Sequence, residues 1–221
     1  MTRKRLDNLD PDRQELLFSN AAEEFAAHGY DAASLNRILD RAGMSKSSLY
    51  YYFDDKADLF TTLIERAMGL ILREVGGFDP ARLSAASFWP ELTALAHRFV
   101  VVSGRNAWFV KVGRLFYRLR GREKGHDPTA RTFQAARLWV SALIQRGQSL
   151  GVVRSDLPLD LLVDMTMAVG EAMDRWFVVH WDEMSADERL TMTDRQIALV
   201  RQMLSPPAPD APTERAPQPD L

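Results

Sequence analysis

The run Ser45-Lys46-Ser47-Ser48-Leu49-Tyr50-Tyr51-Tyr52 sets hydroxyls and one ammonium group ahead of three phenols. Small polar residues at the start of a short helix can approach a nucleic-acid backbone closely. A lysine supplies the cation that phosphates require, and tyrosine hydroxyls on stiff rings reach phosphate oxygens or base edges. The segment before it, 34–41, carries Leu35, Ile38 and Leu39 at helical spacing, and Ala42-Gly43-Met44 breaks it. Two short helices around a glycine turn form a helix-turn-helix pattern, in which the second helix enters the major groove and the first braces it. Such pairs are common, so the pattern alone leaves open a helical turn with buried tyrosines.

The elements that must position this run are marked by their own start and stop signals. Asp10-Pro11, Asp79-Pro80 and Asp127-Pro128 each set a capping acid before a proline at the first helical position. Leu16, Leu17, Ala21, Phe25 and Ala26 form an apolar stripe that predicts a helix over 11–28, ended by Gly29. The same reasoning predicts helices over 34–41 and 46–52, one starting near 56, and others near 81–103, 105–121, 128–150, 158–182 and 187–204. Ser185 and Glu188 have capping-box spacing. Sustained two-residue alternation is absent, so the expected fold is all-α. The segment 205–221 is proline-rich with almost no large apolar side chains, which predicts disorder.

Residues 13–60 resemble the DNA-binding domain of TetR-like transcriptional regulators. The matching features run in order: AAEEFAAHGYDAASL, Ile38 with Asp40-Arg41-Ala42-Gly43, Ser45 through Phe53, then Asp55-Lys56 and Asp58-Leu59-Phe60. The resemblance implies an N-terminal three-helix helix-turn-helix domain over 1–56 and a larger helical ligand-binding and dimerisation domain over 57–204. It assigns DNA contact to Ser34, Ser45, Lys46, Ser47, Tyr50, Tyr51 and Lys56. Within it Ser34 caps the second helix and touches a phosphate, Ser45 and Lys46 open the recognition helix, and Lys56 binds a phosphate. Tyr52 stands where the family often has His, and its orientation stays open. Leu49, Phe53, Gly29 and Tyr30 read as structural.

Charge works against a diffuse basic surface. The 221 residues carry a net charge of -2, and residues 1–56 hold 8 Lys and Arg against 10 Asp and Glu. Any DNA face must therefore be a local stripe of Arg37, Lys46 and Lys56, joined by the arm Arg3-Lys4-Arg5, with Glu23, Glu24 and Asp31 pointing elsewhere. Few cations per subunit imply a dimer on two half-sites.

The remaining chain is rich in large apolar residues and poor in diagnostic ones. Trp108, Phe116, Trp139 and Met173 are candidates for an apolar effector pocket between helices. Met165, Val169, Trp176, Ile197 and Val200 fall on stripes of the last two helices that would build a four-helix homodimer interface. Lys111, Arg114, Arg118, Arg120, Arg122 and Lys124 form a cationic run opposed by Glu123 alone. It reads as a solvated face, an anion site or extra DNA contact.

The chain has no cysteine, and its four histidines show no metal or triad spacing. No catalytic group, metal or cofactor is expected. No signal peptide or membrane span is expected either, which predicts a cytoplasmic protein. The partners implied are a double-stranded DNA operator, a second copy of the chain and an apolar or amphipathic small-molecule effector. The function implied is a ligand-released transcriptional regulator, with repression the family's commoner mode. The alternative is a helical small-molecule-binding protein without DNA-binding activity.

Overall fold

The computed structural model describes Leu6 and residues 9–105, 107–120 and 129–207, apart from the side chains of Ala107 and Trp108. The arm Arg3-Lys4-Arg5, Arg122, Lys124, the Asp127-Pro128 signal and most of the proline-rich tail lie outside the described residues. Among the described residues there are nine α-helices and no strand: α1 (Pro11–Ala32), α2 (Leu35–Ala42), α3 (Lys46–Tyr52), α4 (Lys56–Val75), α5 (Phe88–Arg105), α6 (Ala107–Leu119), α7 (Ala130–Ser149), α8 (Leu159–His180) and α9 (Ala186–Leu204). No helix among them is long and apolar enough to cross a membrane.

Local capping explains why the first four helices begin where they do. Asp10 accepts from the N–H groups of Asp12 and Arg13, Ser34 from Arg37, Ser45 from Ser48, and Asp55 from Asp58. Each cap satisfies a backbone donor that the first turn leaves unpaired. At Gly29 the backbone leaves helical geometry (φ 71°, ψ 173°), yet one further turn follows, so α1 reaches Ala32 and does not stop at His28. Asp79-Pro80 starts only a 3₁₀ turn (Pro80–Arg82). The helix expected from 81 begins at Phe88 instead, after a Ser84–Ser87 turn whose hydroxyls and amides satisfy one another. Pro90 then falls in the first turn of α5, where its missing N–H costs nothing.

Two large apolar cores divide the molecule. The first joins α1, α2, α3 and the first half of α4 to α6, through Leu17, Phe25, Ile38, Leu49, Phe60 and Leu115. The second joins α5, α7, α8 and α9 around Phe88, Trp89, Ile144 and Leu162. A smaller cluster of Ile71, Val75 and Val102 ties the far end of α4 to α5. Helix α4 thus belongs to the first core at one end and to the larger domain at the other. Arg131 of α7 approaches Glu65 (3.4 Å) and Asp58 (3.7 Å) on α4, adding a polar link between the two halves.

Candidate DNA interface

The turn between α2 and α3 is closed by Gly43 in the left-handed region (φ 63°, ψ 32°). Its N–H donates to Asp40 O, and the next N–H, from Met44, donates to Leu39 O (2.9 Å). A side chain at this φ would strain the turn, so glycine sets the angle between the two helices.

Helix α3 is two-sided. Leu49 and Phe53 are each 1% exposed, and Phe53 meets Phe18 of α1 edge-on at 6.3 Å. Burying each of these side chains is worth about 1.5–3 kcal/mol, enough to hold a seven-residue helix that could not persist alone. Tyr50 and Tyr51 are 61% and 52% exposed, and Lys46 and Ser47 are exposed on the same face. Lys46 makes no ion pair among the described residues. Tyr52 is half-buried against the core, with its ring edge-on to Tyr51 at 5.0 Å. Its orientation, left open by the residue pattern, is inward. Ser45 is less available than expected: its hydroxyl accepts the Ser48 N–H and shares hydrogen bonds with the hydroxyls of Ser47 (2.9 Å) and Ser48 (2.8 Å).

A second group gathers where α1 meets α2. Lys56 at the start of α4 donates through Nζ to Asp31 O (3.0 Å) and Ala33 O (3.4 Å), and lies 4.9 Å from the centre of the Tyr30 ring. An ammonium has three protons, so one remains for a phosphate beside Ser34.

Arg37 departs from its expected place on a cationic stripe. Its Nε and Nη2 both donate to Glu24 Oε1, at 2.9 and 2.5 Å, and Nη2 also reaches Ala32 O. Glu24 does not point away from the interface group. It is 1% exposed, and the same oxygen accepts the Ser34 N–H (2.9 Å). The carboxylate therefore ties α1, the Ser34 cap and α2 together, and Arg37 is first a structural residue. One signal could have shown this, since Glu24 shares the buried stripe of Leu17, Ala21 and Phe25.

The Arg37 guanidinium, with help from the Ser34 N–H, holds the Glu24 carboxyl at about 2, against an ordinary 4.5. A carboxylate depressed in the folded state stabilises the fold fully above its unfolded value and loses that contribution as pH falls. Acid should accordingly weaken the domain between about 4.5 and about 2. Glu24→Gln should flatten urea-unfolding stability across that window, and an unchanged pH profile would remove Glu24 from this role.

Of the four residues expected around an effector, the three with described side chains do not gather. Phe116 is buried in the first core, stacked on Phe133 at 5.3 Å. Trp139 is 40% exposed beside Phe78, Met173 is half-buried on α8, and the side chain of Trp108 lies outside the described residues. Ile197 and Val200, expected on a dimer face, turn inward onto the second core. Trp176, also expected there, is exposed on α8 with Leu161 and Val179, and further exposed apolar side chains lie on α7 (Leu138, Trp139), α9 (Leu199), α5 (Val101) and α4 (Leu72). Met165 and Val169 on α8 are half-buried.

A short helix held by two apolar anchors, with a cation and two phenols on its outer face, defines a helix-turn-helix DNA-binding domain on a larger helical body. Residues 17–63 match the family described as "Bacterial regulatory proteins, tetR family", so this N-terminal region is similar to that of TetR-family proteins. The chain is 27% identical over 155 residues to the HTH-type transcriptional repressor AcnR of Corynebacterium diphtheriae, spanning 68% of this chain and 72% of that protein. Over 57 residues, 26% of each chain, it is 42% identical to the HTH-type transcriptional activator FasR of Mycolicibacterium smegmatis. The fold also matches the transcriptional regulator FadR from Bacillus subtilis in complex with stearoyl-CoA, with TM-score 0.66 and 17% identity, covering 84% of this chain and 96% of that one.

Proposed function

We propose that the chain is a dimeric transcriptional repressor that binds operator DNA through α3 and releases it when a small molecule binds. The observation that carries this reading is the division of α3, with Leu49 and Phe53 sealed inward and Lys46, Ser47, Tyr50 and Tyr51 turned out. Ser34 and Lys56 add a phosphate-gripping point at the start of α2, with Lys56 brought there by the Asp31 and Ala33 carbonyls. The repressor AcnR, matched over most of both chains, supports repression. The FadR structure with stearoyl-CoA supports a helical body of this shape as one that can hold a ligand.

Dimerisation is assigned to the outer face of α7 and α8. Leu161, Met165, Ala168, Ala172, Trp176 and Val179 follow one another at helical spacing along α8, with Leu138 and Trp139 beside them on α7. A ligand that prefers a different setting of the larger domain would act through α4, the helix shared by both cores. Rotating α4 moves Lys56 and, with it, the separation of the two α3 helices in the dimer. The protein works in the cytoplasm, where the operator is.

Lys46 and Lys56 in each of two subunits imply neutralisation of about four phosphates, hence a loss of about 100-fold in affinity between 50 and 200 mM salt. Anisotropy titrations on DNA from upstream of its own gene measure this, and sedimentation of the complex gives two chains per duplex. Salt-insensitive binding, or none to any such fragment, sinks the reading.

A further inference from the structure

Helices α1, α4 and α6 border a cleft of about 1060 Å³ over the first core. That is large enough for a drug-sized molecule. Its floor is apolar and buried, built by Phe18, Ala22, Leu63, Ala67 and Leu115. Its α6 wall carries Lys111, Arg114 and Arg118, three and four residues apart and so on one face. These are three of the four described cations of a run that the DNA-binding reading leaves without a role; the fourth, Arg120, lies by Glu171 (3.6 Å) and over the Phe133 ring.

The three cations are not equivalent. Arg114 is occupied: Nε donates to Val178 O (2.6 Å) and Nη2 to Asp182 (2.7 Å). Lys111 and Arg118 are exposed and make no ion pair among the described residues. Three carboxylates face them. Glu15, on α1, is engaged by Arg66 at 3.2 Å. Glu23 on α1 and Glu74 on α4 also line the cleft, and neither pairs with Lys111 or Arg118. The cations therefore stand across open space from acids that do not neutralise them. A head group placed against α6 would gain two charge-assisted hydrogen bonds, while Glu23 and Glu74 would oppose a second negative charge. A monoanion on an apolar body fits this arrangement, and a doubly charged phosphate ester does not.

We propose that this cleft binds an amphipathic carboxylate, its head on Lys111 and Arg118 and its chain along the floor of Phe18, Leu63, Ala67 and Leu115. The molecule would lie between α1 and α6, where the DNA-binding domain rests on the larger one. Its effect on operator affinity rests on the function proposed above, whereas its binding does not.

The test is calorimetric titration of the full chain with dodecanoate, with dodecylammonium as the charge-reversed control. Dodecanoate should bind once per chain, and dodecylammonium should bind at least 10-fold more weakly. The double substitution Lys111→Gln and Arg118→Gln, at exposed sites that leave the fold intact, should weaken dodecanoate by about 10- to 100-fold, because two charge-assisted hydrogen bonds are removed. Ala27→Trp, on the exposed α1 rim of the same cleft, should weaken it independently. Equal binding of the ammonium analogue, no dodecanoate binding, or an affinity that ignores both variants overturns the site. Because no DNA is present, operator binding that persists after such a failure sinks the cleft alone. Tight dodecanoate binding by a chain that ignores DNA sinks the regulator alone.

Discussion

Replacing Lys46 and Tyr51 by Ala should cost about 100- to 1,000-fold in operator affinity while leaving the dimer and its thermal stability unchanged. Both side chains are exposed on the outer face of α3, and although Tyr51 meets Tyr52 edge-on, neither is one of the buried anchors Leu49 and Phe53. A surface change of this kind moves folding stability by about 0.5 kcal/mol or less. Binding is different because the proposed dimer presents each residue twice. Removing two side chains from each of two subunits, at about 1 kcal/mol apiece, corresponds to about 1,000-fold, and imperfect geometry brings the figure down. The salt slope offers a second readout, since losing one phosphate-bound lysine per half-site should lower it by about 2. Undiminished affinity would show that α3 is not the reading helix. A chain that binds small molecules alone would show no DNA affinity to lose.

Phe53→Ala should have the opposite profile. Phe53 ends α3, is 1% exposed and meets Phe18 edge-on. Truncating such a ring leaves a cavity that costs about 3–5 kcal/mol. That is a large share of the roughly 5–15 kcal/mol by which domains are typically stable. In a chain of this size the melting temperature should fall by roughly 6–20 °C, and DNA binding should fall with it because α3 comes loose. Thermal unfolding followed by circular dichroism reads the first effect. A destabilisation under about 1 kcal/mol would mean that α3 is held by something other than this ring. Tyr50→Ala, on the opposite face, serves as the control.

The helix-turn-helix region was legible because its signals are local. Ser34, Ser45 and Asp55 cap within three residues of themselves, Gly43 acts on its own turn, and the ordered motif over 13–60 carried the family resemblance. The roles of the charged residues were less legible. Arg37 looks like a free cation until Glu24, thirteen residues back, is found in contact with it. Lys56 reads as a phosphate ligand, and only the folded chain shows two of its protons already given to carbonyls. In the larger domain, aromatic residues at helical spacing announce burial without saying against what. Phe116 fills the first core and Trp139 lies outside.

By itself, then, the sequence determined the all-helical class, the limits of α2 and α3, and the two faces of the reading helix. Each of these depends on residues within one or two turns of one another. The tertiary structure decided which apolar stripes are covered by the chain's own helices, as Ile197 and Val200 are, and which, like Trp176 and Val179, stay outward. It also decided that the cationic face of α6 fronts a cleft rather than open water. The physical reason is common to both. A side chain's hydropathy and charge set what it needs nearby, but its partner is chosen by helix crossings between residues far apart in the chain, and periodicity does not encode those.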